Sequence, residues 1–291
     1  LTGRARLAFA FAAMLVLPCA RDADAHFERV ILSARSASMG RAFVALADDP
    51  SAVVDNAAGI AGIAAPSFLS TYQRPYGVDG IDEGYVAAVV PLPGLALGAS
   101  WFHRDVGGEL TEDLVTLAVA RDLKRTSEDA SLSVGATVDL ARVGVAGSFD
   151  ESATAVTFAA SVLLRPFAFI GLGYSIRNIV EPAFDLVDGG GETELARAQA
   201  VGLSYYWEQR LRATVETGQD AEGGWRTRGG IELRIENHVQ LRGGLDGEHL
   251  TTGVGVSVSG ITLDLGMTSH DALGATYLFT LRYARPQKGE F

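Results

Sequence analysis

Catalytic and metal chemistry needs particular side chains at particular spacings, and this 291-residue chain offers few of them. Its five histidines are His26, His103, His238, His249 and His270. None stands four residues from another, the spacing that puts two imidazoles on one helix face, so no metal is expected. Ser269-His270-Asp271 has the residue types of a hydrolytic triad. Sequence neighbours do not face one another, however, and no nucleophile elbow surrounds the serine. Asp185, Asp188, Glu192 and Glu194 crowd residues 181–194 beside three glycines, but without EF-hand register they read as a solvated acidic loop. The single cysteine, Cys19, falls in an apolar leader, so the remaining chain has no disulfide framework and no thiol nucleophile. Catalytic residues, cofactors and metals are all expected to be absent.

Charge is organised instead by alternation. Arg212, Glu216, Arg228, Glu232, Arg234, Arg242, Asp264 and Arg282 occupy every second position of segments whose intervening residues are apolar. Such segments are strands with two unlike faces. On a wall that meets lipid, a mid-depth Arg costs on the order of 2–4 kcal/mol, so these eight are expected to face a wet interior. The net charge of −11 and the absence of a Lys/Arg run exclude a nucleic-acid surface.

The elements that position these charges follow from the rest of the chain. Arg4 and Arg6, the apolar stretch Leu7 to Leu17 and Ala23-Asp24-Ala25 read as a signal peptide cleaved after Ala25. A lipoprotein reading through Cys19 is weaker, because Pro18 stands where a small residue is expected. Residues 33–64 are rich in Ala, Ser and Gly. There, Met39-Gly40 followed by Ala42 to Ala47 reads as a short helix, and Asp49-Pro50 as the cap and first position of another. Asp48 and Asp49 also suit pairing with inward arginines. This unit is too small to fold alone and needs a wall to lean on.

From Pro66 to Tyr283 period-2 alternation predicts about fourteen strands of nine to eleven residues, long enough to cross a bilayer at a tilt. They are approximately 66–74, 82–90, 95–103, 113–121, 131–141, 152–164, 168–177, 196–206, 210–217, 226–235, 238–245, 250–258, 260–267 and 275–283. Alternation alone also fits a soluble sandwich. Loop length separates the two. Turns at one end are very short, with 122–130 as the exception, while those at the other end are longer, as in outer-membrane barrels. Trp101, Tyr174, Tyr205, Tyr206, Trp207, Trp225, Tyr277 and Tyr283 fall near strand ends, which suits headgroup-level belts, although aromatics suit strands in any case. The expected fold is an all-β, antiparallel up-and-down transmembrane barrel in the outer membrane, spanning 65–285. An N-terminal segment, 26–64, precedes it and a polar tail, 286–291, follows.

The stretch Ser33 to Ile63 resembles the N-terminal signature of the PorV/PorQ family and, more distantly, of FadL-like long-chain fatty-acid transporters. Ala34 to Gly40 matches its small-residue opening, and Ala42 to Asp49 its apolar segment. Asn56, Ala58 and Gly59 match a closing Trp-Asn-Pro-Ala-Gly-Leu element in which Asp55 and Ala57 replace the aromatic and the proline. The resemblance implies a fourteen-stranded barrel with an internal hatch built on Met39, Gly40, Phe43, Asp48, Asp49, Asn56 and Gly59. Two functions follow as expectations: passage of small hydrophobic molecules through a hatch-gated lumen, or a carrier component that docks secretion-system proteins. The final strand, with Gly274, Tyr277, Phe279 and Tyr283, resembles the terminal signal read by the barrel-assembly machinery. The expected partners are therefore membrane lipids, that machinery, and hydrophobic solutes or secretion proteins.

Overall fold

The computed structural model describes residues 32–127, 130–146, 151–184, 193–208, 210–219, 224–236 and 238–285. The leader 1–25, Asp185, Asp188, Glu192 and the tail 286–291 lie outside the described residues. Fourteen antiparallel strands close into one barrel, each paired with its sequence neighbour in the ring. They are β1 (Ser67–Arg74), β2 (Ile81–Leu92), β3 (Leu95–Val106), β4 (Leu110–Ser127), β5 (Ala130–Val145), β6 (Glu151–Phe167) and β7 (Ile170–Arg177), followed by β10 (Ala198–Trp207), β11 (Leu211–Gln219), β12 (Trp225–Ile235), β13 (Val239–Asp246), β14 (His249–Val258), β15 (Ile261–His270) and β16 (Gly274–Ala284). A two-residue-per-arm hairpin, β8 (Ala183–Phe184) with β9 (Thr193–Glu194), decorates the loop between β7 and β10. β1 closes the ring on β16 from Ser67↔Ala284 to Arg74↔Tyr277. Closure leaves no edge strand to template aggregation.

The two faces of each strand have opposite chemistry. Leu263, Leu265, Phe279 and Leu281 point outward and are exposed, whereas Asp264 and Thr280, between them in sequence, are fully buried. A soluble sandwich would bury those four apolar side chains in a dry centre, so the barrel reading stands and the sandwich falls. Phe68, Trp101, Tyr205, Trp207, Trp225, Tyr277 and Tyr283 also face outward. Tyr206 does not: it turns inward onto Arg212, with 5.8 Å from guanidinium to ring centroid.

Strand existence and order match the expectation, while three lengths do not. β4, β5 and β6 run 18, 16 and 17 residues. Residues 122–130 were expected as a long turn. Instead the strands continue to Ser127 and resume at Ala130, with register shifts at Asp122/Lys124 and Arg125/Ser127. Charged, bulged strand ends that overrun the apolar band lose the alternation by which strands are recognised. With that correction every connection at the rim holding the start of β1 and the end of β16, here the terminal rim, is two or three residues long. In one of the two-residue turns, Ser259-Gly260, both residues have positive φ (50° and 83°), the backbone of a hairpin whose twist matches its strands. At the opposite rim the loop between β7 and β10 is the longest. It folds back so that Phe184 and Leu195 cover Ala141, Val143 and Ala155.

Residues 33–64 lie inside the barrel, with contacts to strands all round the ring. Their helices are α1 (Ala34–Ser38), α2 (Ala52–Asp55) and a 3-10 helix over Ala57–Gly62. The helix expected over Met39 to Ala47 does not form. Gly40 and Arg41 both adopt left-handed φ (65° and 61°), and the N–H groups of Phe43 and Val44 donate to Glu216 of the wall (2.9 Å each) rather than to a helix. Ser33 and Asn56 cap α1 and the 3-10 helix by accepting from Ser36 N (3.0 Å) and Ala58 N (3.1 Å). Asp49 caps the turn before α2, accepting from Ser51 N at 3.0 Å.

Candidate functional site

Buried charges converge in the lumen and its insert. Arg35 on α1 is almost fully buried and donates to Asp48 (2.6 Å), Asp49 (2.9 Å) and Glu232 (2.8 Å). Glu232 also accepts from Arg212 (3.0 Å) and Arg242 (2.7 Å). Arg242 continues to Asp264 (2.7 Å), and Asp264 to Arg282 (2.7 Å). Asp48 bridges back to Arg212 at 3.0 Å and Asp49 towards Arg282 at 3.7 Å. A second cluster joins Arg228 to Glu216 (3.4 Å) and Asp246 (2.9 Å). Seven of the eight charged positions singled out by alternation thus meet inside the lumen, the eighth, Arg234, being half-buried two residues beyond Glu232 on the same face of β12, and Asp48 and Asp49 serve as ion-pair partners and, for Asp49, as a cap.

Burial opposes each of these charges, so only dense pairing sustains them. Burial alone would lower Arg35, but Asp48, Glu232 and Asp49 outweigh it and hold the guanidinium well above its ordinary value. Asp48 is desolvated too, yet Arg35 and Arg212 hold it well below the usual carboxylate range. Asp55 has no such support. One of its carboxylate oxygens is buried without a partner, and burial pushes its pKa up to about 7.

Steric fit completes the docking. Inward positions of the wall carry glycine where the insert's backbone passes. A Cβ on Gly230 would lie 2.5 Å from Met39 Cα, and side chains at Gly135, Gly173 and Gly244 would strike the backbone of Ala58, Val44 and Gly40. Asn56 Nδ2 donates to Val44 O within the insert (2.7 Å) and to Val162 O of β6 in the wall (3.3 Å). A Cβ on Gly59 would collide with Ala47, so the Asn-x-x-Gly element clamps the segment's two halves. Met39, Phe43 and Leu46 form a small apolar cluster with Tyr206. The opposite flank is apolar: Val53, Val54 and Ile60 pack on Leu69, Tyr85, Val89 and Phe102 of β1 to β3. The lumen therefore has a charged side on β11 to β16 and an apolar patch on β1 to β3, with a further ion-paired group, Glu83, Arg104 and Glu112, towards the opposite rim of β2 to β4.

Other candidates resolve into structural roles. Ser269 Oγ donates to Leu250 O (3.0 Å), and His270 Nδ1 accepts from the N–H groups of Ala272 and Leu273 (3.2 Å each). Ser269 and His270 are thus committed elsewhere rather than to each other. Among the described residues no cluster of three or more His, Cys, Asp or Glu could hold a metal. Gly274 has a left-handed φ of 90°, and Tyr277, Phe279 and Tyr283 project from the barrel's outer face. Arg35, Arg41 and the wall glycines were not singled out by the sequence reading. Arg35 lies in a five-residue helix and Arg41 in irregular chain, both too short for periodicity to assign a face, and an inward glycine carries no polarity to reveal its role.

Solved structures share this architecture. A Pseudomonas aeruginosa FadL homologue aligns with a TM-score of 0.61 at 13% identity, covering 89% of this chain and 100% of that one. CymD, a monoaromatic hydrocarbon channel, aligns at 0.65 with 10% identity over 91% of this chain and 100% of its own. The Ralstonia pickettii toluene transporter TbuX gives 0.59 and 11% over 88% and 98%. At these identities the likeness is one of fold. No protein-family model and no curated protein sequence matches the chain, so the PorV/PorQ side of the resemblance rests on the motif in residues 33–63 alone.

Proposed function

We propose that this chain is an outer-membrane channel for small hydrophobic molecules and that residues 33–64 are its hatch. The observation that carries the reading is an N-terminal segment pinned by buried ion pairs inside a barrel that shares its fold with hydrocarbon channels. The outward apolar face suits lipid, and the short-turned terminal rim suits the periplasmic side. The apolar patch on β1 to β3 offers a solute hydrophobic contact once the insert moves. Outward Tyr277, Phe279 and Tyr283 on β16 offer the barrel-assembly machinery a terminal signal.

The test is toluene uptake into proteoliposomes, with glucose as the polar control. Wild-type protein should admit toluene above protein-free liposomes and exclude glucose, and removing residues 33–60 should raise permeability. If the deletion leaves permeability unchanged in a barrel that still migrates heat-modifiably in detergent gels, the hatch reading fails. A second reading, a carrier that hands cargo to secretion proteins, is favoured by Asn56, Ala58 and Gly59. Stoichiometric co-purification of a partner protein would support it; a lone monomer with solute uptake would count against it.

A further inference from the structure

We propose that a cavity at the opposite rim is a binding site for a small aromatic acid, with the carboxylate at Arg41 and the ring against His270, His249 and Tyr76. The cavity encloses about 320 Å³, at the lower end of the range for small-molecule pockets, about 300–1,000 Å³. The proposal deepens the channel reading by giving its mouth a ligand class, and it rests on that reading only for what happens after binding.

The aromatic wall is set by strand register. β14 and β15 pair Thr251 with Thr268, which places His249 opposite His270. Their rings stack at 4.8 Å and 24°. Tyr76 meets His270 edge-on at 5.5 Å and 74°. Its backbone N–H donates to Thr276 Oγ1 (2.8 Å), and its φ of 55° is a strained, left-handed conformation for a residue with a Cβ. Two imidazoles and a phenol edge favour a flat, polarisable ligand over an aliphatic one. Because His270 Nδ1 accepts two backbone N–H groups, its proton sits on Nε2, which can donate.

The floor calls for an anion. Arg41 contributes to this cavity and also to a smaller inner one of about 50 Å³, so it stands between them. Its ion pair with Asp246 is long, 3.6 Å, and Asp246 is held more closely by Arg228 at 2.9 Å. Burial and then Arg228 pull Arg41 down to about 10, as befits a poorly compensated cation. The other charges at the cavity are committed: Glu83 accepts from Arg104 (2.7 Å) and from Gln73 Nε2, and Arg104 also reaches Glu112 at 2.5 Å. Gln73 Oε1 and His249 Nδ1 are buried without partners, leaving acceptors for a ring hydroxyl. A plain hydrocarbon here would leave the Arg41 guanidinium desolvated and still unmatched.

Calorimetry of the full chain in detergent micelles at pH 7 tests this with benzoate, cyclohexanecarboxylate, acetate and toluene as probes. Benzoate should bind at least tenfold more tightly than the other three. Arg41→Gln should weaken benzoate at least tenfold, Arg41→Lys should recover part of the loss, and His270→Ala should erase the advantage over cyclohexanecarboxylate. Benzoate binding no tighter than acetate, or unmoved by Arg41→Gln in a variant that remains heat-modifiable, would overturn the proposal. Failure of toluene uptake into proteoliposomes would sink the channel reading and leave this binding result standing.

Discussion

Arg35 holds together three carboxylates that would otherwise repel one another in a desolvated interior. Removing one partner of a buried pair costs about 3–5 kcal/mol, comparable to the whole stability expected of a small docked segment. Arg35→Ala should therefore release residues 33–64, with trypsin then cutting after Arg41, whereas the wild-type segment should resist. Protection equal to wild type would show that shape alone holds the insert. Asp55 acts in the opposite sense. Its docked pKa, about 7, exceeds the ordinary carboxylate value near 4, so its contribution to docking is full below about 4 and is lost as pH rises to about 7. Arg177, Glu216, Asp49 and Arg41 are the charges that act on it. Asp55→Asn should dock more firmly than wild type by a margin that grows between these values and is flat above them, read from an environment-sensitive probe on Ile63→Cys. A margin constant with pH would refute the assignment. The strand charges were legible in the sequence because lipid forbids them the other face. Arg35 was not, because its partners come from two separated segments, Asp48-Asp49 of the insert and Glu232 of β12.

At the scale of elements, wall and insert are complementary through absence. The inward glycines of β5, β7, β12 and β13 make a trough for backbone, which explains part of the chain's 34 glycines. Gly230→Val should push Met39 off the wall and raise single-channel conductance in planar bilayers. Gly84→Val, at a position where a Cβ meets nothing within 4 Å, should leave conductance unchanged. Equal behaviour of the two variants would contradict the trough. Strand order and most boundaries were readable from alternation and turn residues. The overrunning end of β4 was not, since consecutive charged residues in the sequence from Arg121 to Ser127 mimic a loop. The missing helix over Met39 to Ala47 has a similar cause: its helix-favouring composition yields to two left-handed residues and to the wall carboxylate of Glu216.

The barrel is one continuous sheet with an apolar outer face and a polar inner one. Leu263 and Asp264 are adjacent in sequence and meet opposite environments, a contrast strong enough for sequence alone to give the architecture. What lies within the ring was less accessible, because the contacts of the insert depend on closure and not on any local pattern. In the proposed channel, solute enters only when the insert leaves. Ala45 Cβ lies 3.4 Å from where a Cβ on Gly202 would sit, close to the usual disulfide spacing of about 3.5–4.5 Å. Ala45→Cys with Gly202→Cys, in a chain whose one native cysteine, Cys19, is replaced by Ser, should therefore lock the segment to β10. Toluene uptake by such proteoliposomes should stop under oxidising conditions and return on reduction. Equal uptake in both states would show that solute needs no movement of residues 33–64.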